Sequence, residues 1–241
     1  MTATLIIKEL NQASDKGKSV ILSRFFKTGP GEYGEGDRFL GVTVPKQRVI
    51  AKKYQHISFQ EAEKLLISQI HEYRLTGLLI LTYRFTLSDK AQQKEIFDFY
   101  LAHTTYINNW DLVDVTAPNI VGAYLFQQGR VGSILRRLAR SASLWERRIA
   151  IVSTFFWIKQ GKHQECFEIA EILLHDSHDL IHKAVGWMLR EVGKRCGEGA
   201  LIDFLDRFAG EMPRTMLRYA IERFPETLRQ KYLHKKRVFQ A

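Results

Sequence analysis

Cysteine, proline and long apolar runs are scarce in this chain. Its 241 residues hold two cysteines, Cys166 and Cys196, thirty positions apart. Nothing else in the chain looks extracellular, so free thiols are expected rather than a disulfide framework, and neither cysteine sits in a catalytic pattern. Five prolines and no polar low-complexity tract leave no obvious linker, so residues 1–241 are expected to form one folding body. The start lacks a charged segment followed by an apolar core, because "TLII" is the whole apolar run there. Nowhere do about 18 apolar residues stand together, which excludes an obvious membrane span. A soluble, non-exported, cytoplasmic protein is the expectation. Absent too are an HExxH pattern, a cysteine cluster and a glycine-rich loop ending in GK[ST], so neither a metal nor a small-molecule cofactor is expected.

What the chain does have is core material and positive charge. At 45% hydrophobic and 12% aromatic it can bury a sizeable interior. A net charge of +10 and a pI near 9.6 favour a polyanionic partner, nucleic acid or an anionic membrane. The distribution of charge decides between them. From Arg130 to Arg148 there are six arginines and one acid, Glu146, without the Leu/Phe/Trp anchors of a membrane-surface helix. From Arg214 to Arg237 there are eight basic residues against two acidic ones. Solvated helix faces account for many charge runs, but this imbalance favours nucleic acid.

From Val44 onward apolar residues recur at three and four, with brief turns and no sustained alternation, which predicts helix throughout. Two further helices are expected near Thr2–Asn11 and Lys18–Thr28, before the longest irregular segment, "TGPGEYGEGDRFLGVTVP". Apolar helices are expected to begin near Glu72, Asn109, Leu144, Asp179 and Met212, 33 to 37 residues apart. Shorter amphipathic helices precede them, for instance Lys90–Ala102, Val131–Arg140 and His163–Leu174. Helix pairs at that period predict an all-α solenoid of HEAT-like or armadillo-type repeats, curved, with a concave basic groove. Within such a stack, residues that interrupt the apolar pattern of the second helices project into the groove. They are Trp110, Asp111 and Asp114; then Trp145, Arg147 and Arg148; then Lys183, Trp187 and Arg190; and lastly Arg214 and Arg218. Cations interleaved with indoles and a few carboxylates suit a nucleic-acid groove.

Several motifs now carry a resemblance. "NNWDLVD", "LWERRIA", "HKAVGWMLREVGK", "GPGEYGEGDRFLGVTVP" and "MPRTMLRYAIERF" occur in order over about Ser23 to Arg223. They resemble the AlkD family of DNA alkylation repair glycosylases, which are built from HEAT-like repeats. The resemblance implies that Trp110, Asp114, Arg148 and Trp187 form an active-site cleft. It also implies excision of 3-methyladenine and 7-methylguanine from duplex DNA without drawing the base into a deep pocket. The chain departs from the best-known member at two places: Phe25 stands where that member has a tyrosine, and Asn109 where it has a second indole. Both changes are expected to alter DNA contacts or lesion range.

The chemistry of these residue types agrees with that expectation. A purine alkylated at N3 or N7 is cationic and already a good leaving group, and its bond to the sugar breaks through an oxocarbenium-like state. Asp114 can stabilise the developing cation and orient or deprotonate a water. Trp110 and Trp187 can flank the deoxyribose, each contributing about 0.5–2 kcal/mol towards cationic character. Phe25 joins them as a lesion-side ring. Arg148 can clamp a phosphate, with Arg147, Lys183, Arg190, Arg214 and Arg218 as further backbone contacts. A neutral base such as uracil would need a general acid that nothing here supplies. Without a lyase lysine, the product would be an abasic site in an intact strand. Double-stranded DNA with alkylated bases is therefore the expected partner of a monomeric, nucleoid-associated enzyme.

Other readings of the same residues compete. An isolated helical tryptophan is ordinarily core, but a carboxylate one turn away on the same face requires a partner or solvent. Arg148 can instead pair with Glu146 or Asp111. Asp111 reads as a structural or capping carboxylate, and Trp145 as packing. "HDSHDLIH" brings His175, His178 and His182 close to Asp176 and Asp179, yet a helix start capped by Ser177 or Asp179 is favoured over a metal site. The acidic residues of "GPGEYGEGD" argue against a phosphate cradle and for a shaped loop, touching DNA through its backbone or Arg38. The rival function is a non-catalytic HEAT-type module binding damaged or branched DNA, which has no need of Asp114; a protein-binding scaffold comes third.

Overall fold

The computed structural model describes residues 1–129 and 132–235. Arg130, Val131 and, from the basic tail, Lys236 and Arg237 lie outside the described residues. The chain divides into two compact units, Met1–Ile120 and Val121–Ala241.

The first unit contains α1 (Ala3–Gln12), α2 (Lys16–Phe25), α3 (Val44–Lys53), α4 (Phe59–Leu66), α5 (His71–Leu87), α6 (Lys90–Ala102) and α7 (Trp110–Thr116). Its axis is α5, whose Leu75, Leu78, Leu79, Ile80 and Leu81 are almost wholly buried. Helices α3, α4, α6 and α7 pack on it. Start signals are local: Asp15, Ser58 and Asp89 each accept a first-turn N–H, and Asp89 with Gln92 completes a reciprocal capping box on α6. Helix α2 differs, since no residue of it is fully buried.

The second unit contains α8 (Ala123–Gln128), α9 (Gly132–Ala139), α10 (Leu144–Ser153), α11 (Phe155–Lys159), α12 (Gln164–Ile172), α13 (Asp179–Arg195), α14 (Glu198–Phe208), α15 (Arg214–Ala220) and α16 (Glu226–Leu233). Here α13 is the axis, with α10, α11, α12, α14 and α15 against it. No strand occurs among the described residues, so the expected all-α helical-repeat fold is the one observed. The expected helices at Glu72, Asn109, Leu144, Asp179 and Met212 correspond to α5, α7, α10, α13 and α15, within two residues at each start. The long loop ends where α3 begins, at Val44.

Two readings need correction. "NNWDLVDVTAPNIVGAYL" is not one helix: α7 stops at Thr116, a π-helical turn occupies Pro118–Gly122, and α8 follows. Pro118 cannot donate to the carbonyl four residues back and its ring crowds it, so the backbone widens there. Asn119 Nδ2 meets the carbonyl of Val115 at 2.9 Å. The second correction concerns α13, which is capped by His178 and not by Ser177 or Asp179: His178 Nδ1 accepts the Leu180 N–H at 3.1 Å.

Helices α13 and α15 approach closely because Gly186 has no side chain. A Cβ there would lie 2.5 Å from both the Met216 carbonyl oxygen and Tyr219 Cβ. Gly186→Ala is therefore expected to cost about 1–3 kcal/mol, because the α15 backbone has to give way. Urea unfolding checks this, and an unchanged midpoint would show that the contact is looser than described.

Candidate active site

The site begins with a loop that must be held without regular structure. Residues 26–43 run from α2 to α3, and their backbone polar groups need partners. Glu72, 1% exposed in the first turn of α5, supplies three: its carboxylate accepts the N–H groups of Leu40 (2.9 Å), Gly41 (2.8 Å) and Val42 (3.2 Å). Arg38 bonds through its backbone to Gln69 and His71 at 3.1 and 2.8 Å. The loop's own carboxylates also hold it, Glu32 accepting the Gly29 N–H and Glu35 the Gly31 N–H, both at 2.9 Å.

Below the loop lies a buried charge relay. His71 Nδ1 is 3.0 Å from Asp37 Oδ2, and its Nε2 is 2.8 Å from Asp111 Oδ2. Asp37 also accepts from Arg74 Nη2 at 2.5 Å and from Asn109 Nδ2 at 3.0 Å. An imidazole with a carboxylate on each nitrogen donates to both only when protonated. Burial opposes that charge, but Asp111 and Asp37 prevail and raise the His71 pKa to about 9. Burial likewise pushes Asp37 up, and its donors His71, Arg74 and Asn109 outweigh it to hold the carboxyl below its ordinary range. Asp111 is thus the structural carboxylate it was expected to be, joining α7 to α5.

Asn109 links this relay to the indole. Its Oδ1 accepts the Trp110 N–H at 2.8 Å, and its side chain is wholly buried. Buried there, Asn109 presents no side chain at the surface and acts on the placement of α7 and Trp110. Trp110 stacks on Phe26 with centroids 5.1 Å apart and planes at 19°, and Phe26 stacks in turn on Phe39 at 5.0 Å. Phe25, 61% exposed, meets Trp110 edge-on at 5.9 Å. Of the three rings expected on the lesion side, the structure brings Phe25 and Trp110 together; the stacking partner Phe26 and the relay residues Asp37 and His71 were not foreseen. A signal existed: His71, Glu72 and Arg74 are charged or titratable positions in the turns before the apolar run Leu78–Leu81, and such groups require partners when buried. An apolar cavity of about 240 Å³ adjoins the rings, with Leu22, Phe25, Phe26, Phe39, Val42 and Leu75 among its walls. Asp114, half-buried, follows Trp110 by one turn on α7. Its charge adds to burial in pushing the Tyr100 phenol above its ordinary pKa.

In the second unit, Arg148 is 5% exposed and donates from Nη1 to the Leu180 carbonyl at 2.6 Å, tying α10 to the start of α13. Trp187 is half-buried, with Phe155 at 5.9 Å. Arg147 is committed to Asp176 (Nε to Oδ2, 2.6 Å) and to the carbonyls of Ser141 and Ala142 at 3.0 Å. Lys183 pairs with Asp179 at 2.7 Å, Arg190 with Glu222, and Arg214 donates to the Leu233 carbonyl at 2.9 Å. Arg218 is exposed on α15. The histidines of "HDSHDLIH" serve the turn before α13: His182 Nε2 bonds the Asp176 carbonyl, and His178 is the cap. Among the described residues no group of three or more His, Cys, Asp or Glu is placed to hold a metal ion. No described helix is long and apolar enough to cross a membrane.

An all-α architecture, with an indole and a carboxylate on one short helix of the first unit, is that of a helical-repeat protein. The chain belongs to the DNA alkylation repair enzyme family, whose family model matches residues 6–224. Among solved structures it is similar to a predicted DNA alkylation repair enzyme from Enterococcus faecalis, with a TM-score of 0.70 at 14% identity over 88% of this chain and 97% of the other. It is also similar to AlkD2 and to smu.31, both from Streptococcus mutans, each with a TM-score of 0.57 at 16% identity; 88% and 90% of this chain and 99% and 100% of theirs are covered. Comparison with curated proteins yields no match. At these identities the solved structures speak for the AlkD-like helical-repeat fold, and the family match for DNA alkylation repair.

The relay has a pH signature. His71 rises from an ordinary 6.5 to about 9 on folding, so its contribution is complete below pH 6.5 and is lost as pH climbs through 9. A rise of that size corresponds to roughly 3 kcal/mol. Unfolding free energy measured between pH 6 and 10 should fall by about that amount, and His71→Gln should flatten the slope while costing about 3–5 kcal/mol near neutrality. An identical slope in the variant would remove His71 from the relay.

Proposed function

We propose that the protein is a monofunctional DNA glycosylase that hydrolyses the N-glycosidic bond of positively charged alkylpurines, 3-methyladenine and 7-methylguanine, in duplex DNA. The observation that carries this reading is the start of α7. A half-buried indole, stacked on Phe26 and fixed through Asn109, stands one turn from a carboxylate, Asp114, in a chain of the alkylation repair family.

The chemistry needs little from the protein. The C1′–N bond breaks with its electron pair going to the purine nitrogen, which neutralises the cationic base as it leaves. The carboxylate of Asp114 stabilises the positive charge left on the sugar. A water oxygen then bonds to C1′ and its proton passes to Asp114, leaving an abasic site in an uncut strand. Trp110 supplies an indole for the cationic sugar and base, with Phe25 as the exposed edge of the same aromatic group. Trp187 supplies a second indole for that role. Arg148, fixed by Leu180, is a positioned cation for a backbone phosphate, and Lys183, Arg190, Arg214 and Arg218 add sequence-independent attraction. Arg147 buttresses the turn before α10. The protein acts as a monomer, without a metal or small-molecule cofactor, in the cytoplasm and on nucleoid DNA.

Two variants test this. Asp114→Asn should lower single-turnover release of 7-methylguanine from methylated duplex DNA by roughly 10²–10³-fold, the cost of losing one electrostatic stabiliser. It should leave duplex affinity within about twofold. Equal release by wild type and variant would remove Asp114 from the mechanism, and no release by either would leave the family's non-catalytic DNA-binding alternative. Trp110→Ala should reduce release by roughly 10-fold or more, given about 0.5–2 kcal/mol for the cation contact with added loss of placement.

A further inference from the structure

Helix α13 carries Lys183, Trp187, Arg190 and Lys194 at intervals of four, three and four, so all four share one strip of the helix. At its C-terminal end the strip borders a depression of about 200 Å³. Arg190, Lys194 and Arg223 line it with Glu198, over an apolar floor of Leu201 and Phe224. Arg190 gives Nη1 to Glu222, but its Nε is buried and has no hydrogen-bond partner. A buried guanidinium N–H without a partner is a standing cost. Three cations against Glu198 and Glu222 leave a local charge of +1, the complement of one phosphodiester. Arginine forks suit two oxygens of one tetrahedral anion, and the apolar floor lowers the local dielectric and strengthens the attraction. The lining comes from α13, the start of α14 and the turn after α15, three segments packed together within one unit, so the backbone frame of the depression is set before any ligand arrives.

We propose that the Arg190–Lys194–Arg223 depression is a phosphate-binding site that takes one backbone phosphate of duplex DNA. Lys194 lies seven residues beyond Trp187, about 10 Å along the helix axis. The site thus extends the DNA-binding strip past the residues that face the lesion. It rests on reading this chain as a DNA-binding member of its family, but not on the excision chemistry.

The test uses the full chain and an undamaged duplex, so that its failure and the failure of the glycosylase reading are separable. Affinity is measured across a range of salt for wild type and for Lys194→Gln/Arg223→Gln. The double variant should show a slope of log affinity against log salt shallower by about 1, and roughly 10-fold weaker binding at low salt. Lys52→Gln/Lys90→Gln removes the same charge from exposed positions of the first unit and should leave the slope unchanged. Arg223→Lys should retain most of the affinity. An unchanged slope in the first double variant, or an equal change in the control pair, overturns the proposal. A separate titration with inorganic phosphate at constant ionic strength distinguishes the source of the anion. If the pocket variant loses phosphate binding while its DNA slope stays at the wild-type value, the site serves a free anion and the DNA assignment is overturned.

Discussion

A protonated histidine between two aspartates is the constraint on which the first unit's candidate site depends. His71 is 2% exposed and touches Asp37 on one side and Asp111 on the other. Burying an imidazolium is costly unless its charge is answered, and here it is answered twice. The consequence is geometric. Asp37 belongs to the long loop, His71 to α5 and Asp111 to α7, so one buried proton fixes three segments to one another. Arg74 and Asn109 complete the set by neutralising and orienting Asp37. The N-terminus of α7, and with it Trp110, is placed by electrostatics as much as by apolar packing.

Two aspartates three residues apart on α7 consequently serve different ends. Asp111 is drawn into the relay, while Asp114 stands beyond it on the next turn. The aromatic residues follow the same division of labour: Phe26 and Phe39 form a stacked support, Trp110 lies on it, and Phe25 is left exposed at the edge. In the second unit the analogous work is done by Arg148, which is 5% exposed and gives an N–H to the Leu180 carbonyl. Strong charges in both units hold helices in register, and the proposed chemistry uses what those charges position.

Much of this was legible in the sequence where the signal was local. Apolar periodicity placed the helix pairs, and the limits of α6, Lys90–Ala102, are those the pattern predicts. The indole and carboxylate of "NNWDLVD" were visible as neighbours one turn apart. What was not legible depends on distance along the chain. Asp37 and Asp111 lie 34 and 40 residues from His71, and no spacing rule connects them. Phe26 stacks on Trp110 from a segment whose periodicity only marked it as the end of a helix. The break at Pro118 was in plain view, but the apolar pattern continues across it into α8, and periodicity alone reads such a run as one helix. Asn109 looked like a surface change beside an active residue because its partner, Asp37, is 72 positions away.

The proposed chemistry depends on charge in the leaving group: with Asp114 as the acting carboxylate and no residue assigned as a general acid, it is confined to a base that is already cationic. The most direct measurement compares single-turnover base release from matched duplexes carrying one 7-methylguanine or one uracil. Release of 7-methylguanine with no detectable release of uracil, and with the strand left uncut, is the predicted result. Comparable release of both, or strand cleavage accompanying release, would contradict it.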